Sequence, residues 1–130
     1  GYTVSIKASS TPALRSSLDS FADYSAPVSS PDFTFSVPST ESRFAFTVEG
    51  TDIVSSLKDN GSVCNSGSGD TVDKCWAGLS TATQTIVTRT SANHTTGTVT
   101  TIKFRAESGS SHVQVAGDYV ATTTITVISL

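Results

Sequence analysis

Tyr119-Val120-Ala121-Thr122-Thr123-Thr124-Ile125-Thr126-Val127-Ile128 is the longest extended-type run in the sequence. Threonines alternate with apolar residues through most of it, and Tyr119, Ala121, Ile125 and Val127 fall on one face. Branched side chains fit a pleated surface better than a helical turn, so the run reads as a strand with one apolar side. Gly1-Tyr2-Thr3-Val4-Ser5-Ile6-Lys7 repeats the pattern more strictly, with Tyr2, Val4 and Ile6 opposite Thr3, Ser5 and Lys7.

The stretches between extend this all-β reading. Phe33, Phe35 and Val37 alternate up to Pro38, and Phe44, Phe46 and Val48 resume after a Pro-Ser-Thr-Glu-Ser turn, which predicts a hairpin. Ile86 and Val87 lie in a Thr-rich strand that ends in a turn at Ala92-Asn93-His94. Thr98–Ala106 sets Ile102, Phe104 and Ala106 against Lys103 and Arg105, and a Gly/Ser loop is expected over 107–118. Two segments carry a different signal. Leu14, Leu18 and Phe21 have helical spacing behind Pro12, and Ile53, Val54 and Leu57 suit a helical turn or a strand. Pro27 and Pro31, set among serines, mark a loop.

The sequence has 130 residues, of which 23 are Ser and 21 Thr. With 36% hydrophobic residues at regular positions, a core can form despite that polarity. The expectation is one domain over 1–130, an immunoglobulin-like β-sandwich of about seven strands with at most one short helix. Asp59 to Lys74 is polar and rich in Gly and Ser. Cys64 and Cys75 bracket most of it and read as a disulfide closing a loop at about 59–75, which implies an oxidising, extracellular compartment. Gly1 in place of Met fits a removed signal peptide or a domain excised from a longer chain.

Charge and spacing exclude several chemistries. The net charge is −3 and the eight Lys and Arg are scattered, which argues against nucleic acid. No apolar run approaches the roughly 20 residues of a membrane span. His94 and His112 stand in loops away from any nucleophile-elbow pattern, and no carboxylate pair is signalled, so no enzyme is expected. Asp59, Asn60, Asp70 and Asp73 offer oxygen ligands for calcium, but not at EF-hand spacing, so neither metal nor cofactor is expected. Asn60-Gly61-Ser62 and Asn93-His94-Thr95 are glycosylation sequons.

Ala116-Gly117-Asp118-Tyr119 leading into the Thr/Val run resembles the last strand of bacterial surface and fimbrial domains, among them spore-coat-protein-U-type and chaperone–usher pilus subunits. The opening strand is similar to one in bacterial cell-surface sandwich repeats. Together these matches cover about a fifth of the chain. The sequence departs from usher-type subunits in ending Ile128-Ser129-Leu130, without a penultimate aromatic, and in a mid-chain cysteine pair. The resemblance implies a structural subunit of an extracellular filament, pilus or surface coat, built by β-strand addition between copies. Tyr2, Val4 and Ile6 would then be the donated row, or Tyr119, Ile125 and Val127 the accepting strand. The alternative from a different class is an adhesin or carbohydrate-binding module that presents Tyr24 and Trp76 to a glycan.

Overall fold

The computed structural model describes residues 1–25 and 31–130. Six strands appear among them: β1 (Tyr2–Ala8), β2 (Ala22–Asp23), β3 (Ser42–Glu49), β4 (Gln84–Arg89), β5 (Thr101–Ser108) and β6 (Thr123–Ser129). They form two three-stranded sheets, ordered β4-β1-β6 and β2-β3-β5. No α-helix occurs among the described residues, so none crosses a membrane.

The strands form where the sequence alternates. In β3, Phe44, Phe46 and Val48 join the main core, while Ala45 and Thr47 point to the opposite face of the sheet and are also buried. Ile6 of the other sheet packs into that same core with Ile86 and Val87 of β4. The two sheets therefore face each other across one apolar layer, as in a β-sandwich. β1 is the middle strand of its sheet, pairing antiparallel with β4 from Tyr2↔Arg89 and with β6 from Tyr2↔Ser129 to Ala8↔Thr123. A register shift between Val4 and Ser5 lets Ile86 and Val87 both turn inward.

Several expectations are revised. Among the described residues there are six strands rather than about seven, because Phe33–Val37 forms no strand and no hairpin with β3. That segment instead packs in a second apolar cluster in which Phe35 stacks on Tyr24 at 4.9 Å and Ala45 of β3 takes part. A side chain meets one of its backbone donors, since Ser36 N–H donates to the Tyr24 hydroxyl. The expected helix after Pro12 is replaced by a tight turn. Ser16 Oγ accepts from Leu18 and Asp19 N–H, Phe21 N–H returns to the Leu14 carbonyl, and Leu18 is left 77% exposed. A 3₁₀ turn over Ser55–Leu57 buries Leu57, and Ile53 bridges to Val87 beside it. The closing strand starts at Thr123 rather than Tyr119, and the 98–106 strand runs from Thr101 to Ser108. Pro27 lies outside the described residues.

Because β1 is bonded on both flanks, removing residues 1–8 is expected to abolish folding, read as loss of the β-sheet circular dichroism signal. Phe46→Ala, at a fully buried site, should cost about 3–5 kcal/mol in denaturant unfolding.

Candidate functional site

One flank of the sandwich is closed by backbone pairing. The far edge of β4 is covered by residues 52–54, with Thr88 N–H donating to Asp52 O (3.0 Å) and Val54 N–H to Ile86 O (3.1 Å). The far edge of β3 is covered by β2 and by Ala77, which exchanges two 2.9 Å bonds with Phe46. The other flank differs. β5 pairs only with β3 and β6 only with β1, and among the described residues no backbone bond reaches the far edge of either strand.

The register decides which side chains line this open flank. Ile102, Phe104 and Ala106 stand opposite Val48, Phe46 and Phe44 and so share their inward face. Thr123, Ile125 and Val127 stand opposite Ala8, Ile6 and Val4 on the inner face of the other sheet. Ile102 packs against the main core, but three of these inward residues are left half-uncovered: Phe104 is 46% exposed, Ile125 50% and Val127 65%. A gap of about 230 Å³ between the two edges is lined by Phe44, Phe104, Ala121 and Thr123, and the Phe44 and Phe104 rings stack at 5.9 Å. Every inward residue named here is uncharged.

The charges of β5 are held on its other face. Lys103 bonds Glu49 (2.7 Å) and Asp73 (2.8 Å), and those two carboxylates raise its pKa. Arg105 lies 4.5 Å from the Phe35 ring and pairs with Glu107 at 2.7 Å. β6 carries no charge, proline or glycine over its seven residues. Natural monomers usually blunt an exposed strand with such residues, because an unpaired row of N–H and C=O groups recruits further strands.

The predicted site residues fall in different places. Tyr2, Val4 and Ile6 are on one face as expected, but in the central strand, so the donated-strand reading of that row is revised. Donating β1 would break both of its ladders. Tyr2 is also tied down by its hydroxyl, which donates to Asp52 Oδ2 at 3.0 Å; burial, then that bond, raises its pKa. Ile125 and Val127 do share an open strand, whereas Tyr119 does not belong to it. Its hydroxyl donates to Val115 O (2.6 Å), its ring meets Phe21 edge-on at 5.1 Å, and Asp19 and Gln114 complete that cluster.

Tyr24 and Trp76 are not exposed aromatics, being 6% and 4% accessible in the second cluster. The Tyr24 hydroxyl donates to Asp32 Oδ2 (2.8 Å) and the Trp76 indole N–H to Asp73 O (3.0 Å). Buried rings need such partners, and these two spend theirs inside the molecule. A separate open cleft of about 520 Å³ is polar, lined by Ser9, Ser10, Arg15, Ser16, Ser17 and Asp118 among others, and holds no aromatic.

Cys64 and Cys75 form a disulfide with Cα atoms 5.7 Å apart. The loop it closes is organised by Asp59, which is buried. The Asp59 carboxylate accepts from Thr71 N–H (2.9 Å), Thr71 O–H (2.7 Å) and Gly61 N–H (2.7 Å), and its backbone exchanges two bonds with Gly69. Asp70 accepts from Gly50 N–H and Asp73 pairs with Lys103, so the acidic residues point to different partners. Among the described residues, no cluster of three or more metal-ligating side chains occurs.

Asn60 is exposed, with its amide oxygen accepting from Ser62 and Val63 N–H, and Asn93 Nδ2 donates to Thr98 Oγ1. His94 is exposed. His112 is half-buried, with Nδ1 3.1 Å from Thr40 O rather than beside a serine hydroxyl. Nothing matches this chain among protein-family models, curated proteins or solved structures.

The open flank escaped sequence reading. Its inward residues are legible as alternating strands, but no local signal says that β5 and β6 flank one gap, since adjacency across a sandwich is set by long-range pairing. The Asp59 clamp was likewise hidden in a loop that reads as solvated.

Asp59→Asn would turn one acceptor into a donor facing Thr71 N–H or Gly61 N–H. The expected cost is about 1–3 kcal/mol in denaturant unfolding at neutral pH. The Thr71 backbone bond foremost holds the Asp59 carboxyl below the usual carboxylate range. A lowered folded-state pKa contributes stability above the unfolded value of about 3.9, and that contribution fades as pH falls through the folded value. The gap between wild type and Asp59→Asn should therefore narrow in acid, measured as unfolding midpoints at pH 7 and pH 3.

Proposed function

We propose that this chain is a structural subunit of an extracellular filament, pilus or surface coat, assembled by β-strand addition between subunits and not acting as an enzyme. The observation that carries the reading is the open flank. Two strand edges that no described residue pairs border inward-facing Phe104, Ile125 and Val127 there, which a self-contained sandwich would cover. An added strand satisfies the free backbone groups and hides the apolar side chains in one step. Full burial of an exposed side chain of this size is worth about 1.5–3 kcal/mol, and because these three are already about half covered, each would contribute about half of that.

Two further features support the reading. The two-sheet, nearly all-β fold and the disulfide suit an extracellular scaffold. The resemblance of the opening and closing strands to bacterial surface and fimbrial domains points the same way. In this reading the exchange involves β5 and β6 as acceptors and leaves β1 in place. The adhesin or carbohydrate-binding alternative loses its stacking platform, because Tyr24 and Trp76 are buried.

The experiment compares native protein with Ile125→Arg and with Thr124→Arg, which changes the outward face, by sedimentation and negative-stain imaging. Assemblies are expected from native protein and Thr124→Arg. They should be lost from Ile125→Arg, whose unfolding curve should stay close to wild type because the site is half-exposed. Separate particles at every native concentration, or unchanged assembly of Ile125→Arg, would count against the proposal.

A further inference from the structure

The two open edges are not equivalent, and their sequences discriminate between partners. Consider each strand paired antiparallel with its own copy. For β5, a two-fold axis at Phe104 sets Lys103 opposite the Arg105 of the second copy, and Lys103 of that copy opposite Arg105. Like charges directly across an antiparallel pair are unfavourable. For β6, an axis at Thr126 sets Ile125 opposite Val127, Thr124 opposite Ile128 and Thr123 opposite Ser129. No charge meets a charge, and the inward apolar row continues across the junction.

The backbone supports the same axis. Leu130 N–H donates to Gly1 O and Ser9 N–H donates to Thr122 O, so even-numbered residues around β6 turn their polar groups toward β1. By alternation, Thr123, Ile125, Val127 and Ser129 turn theirs to the free edge. In the axis at Thr126, these four residues pair only with one another: Ile125 with Val127 and Thr123 with Ser129. Every free-edge N–H and C=O of the strand then finds a partner, and Thr126 becomes a non-hydrogen-bonded pair on the axis. We propose that β6 of one copy pairs with β6 of a second copy across a two-fold axis at Thr126, joining two sheets into one of six strands, β4-β1-β6-β6-β1-β4. The inference rests on the strand-addition reading and names the partner at one of the two edges. The β5 edge, where Lys103 and Arg105 oppose one another in the register centred on Phe104, lies outside this inference.

Thr126→Cys tests the register. Cα atoms in a non-hydrogen-bonded antiparallel pair lie about 4.5 Å apart, within disulfide reach. Mild oxidation with oxidised glutathione should give a covalent dimer on a non-reducing gel. Thr124→Cys should not cross-link, because the two copies of residue 124 lie about 14 Å apart along the strands. Thr126→Lys sets two ammonium groups on the axis and should weaken association about fivefold in sedimentation equilibrium. Mixing Thr126→Lys with Thr126→Glu should restore it. If native protein associates but Thr126→Cys stays uncross-linked, or Thr124→Cys cross-links equally well, the β6 pairing is overturned and strand addition at the open flank stands. If native protein sediments as a monomer and Thr126→Cys does not cross-link, both proposals fall.

Discussion

Everything in the architecture depends on β1 being hydrogen-bonded along both sides. Its seven residues hold β4 on one side and β6 on the other, and Ile6 on its inner face enters the core shared with Phe46 of the opposite sheet. A strand in that position cannot be lent to a neighbour, because each ladder it left would expose its partner's polar groups. That constraint moves any exchange to the far side of the sheet. Among the described residues it also leaves β6 bonded on one side only, with Ile125 and Val127 half-exposed.

The molecule spends its protective devices unevenly. β3 is shielded on one edge by β2 and Ala77, and on its outer face by a separate cluster of Tyr24, Phe35 and Trp76 with Arg105 lying over the Phe35 ring. The edge of β4 is covered by the 52–54 segment. Lys103 and Arg105 stand on β5, anchored by Glu49, Asp73 and Glu107. β6 has none of these. An unprotected seven-residue edge of threonine and β-branched apolar residues is an aggregation hazard in a monomer and a connector in an assembly, and the same backbone chemistry underlies both.

Much of this was legible in residue order. Alternation in 2–7, 44–48 and 102–106 marked strands and their inward rows correctly, because a period of two follows directly from the pleat, whereas the 119–128 run marked a strand that begins only at Thr123. The cysteine pair was readable from its spacing and compartment logic. Other features were decided by tertiary contacts. Phe33–Val37 alternates like a strand, yet the Tyr24 hydroxyl and ring draw it into a packed cluster instead of a ladder. Leu14, Leu18 and Phe21 are spaced like a helix, but Ser16 takes the amides a first helical turn would have left free. Trp76 and Tyr24 are display residues only in the adhesin reading, and residue order alone does not say which side chains cover them.

Leu130 N–H donates to Gly1 O at 3.0 Å, so residues 1 and 130 sit side by side at one end of the β1–β6 ladder. Tension applied between those two positions would open that ladder like a zip, loading its cross-strand bonds one rung at a time, the weakest way to pull an antiparallel pair. Force entering sideways through a neighbouring strand, parallel to β6, would instead load many rungs at once. In mechanical terms the domain is poorly suited to bear traction between residues 1 and 130, and far better suited to resist shear transmitted through its sheet.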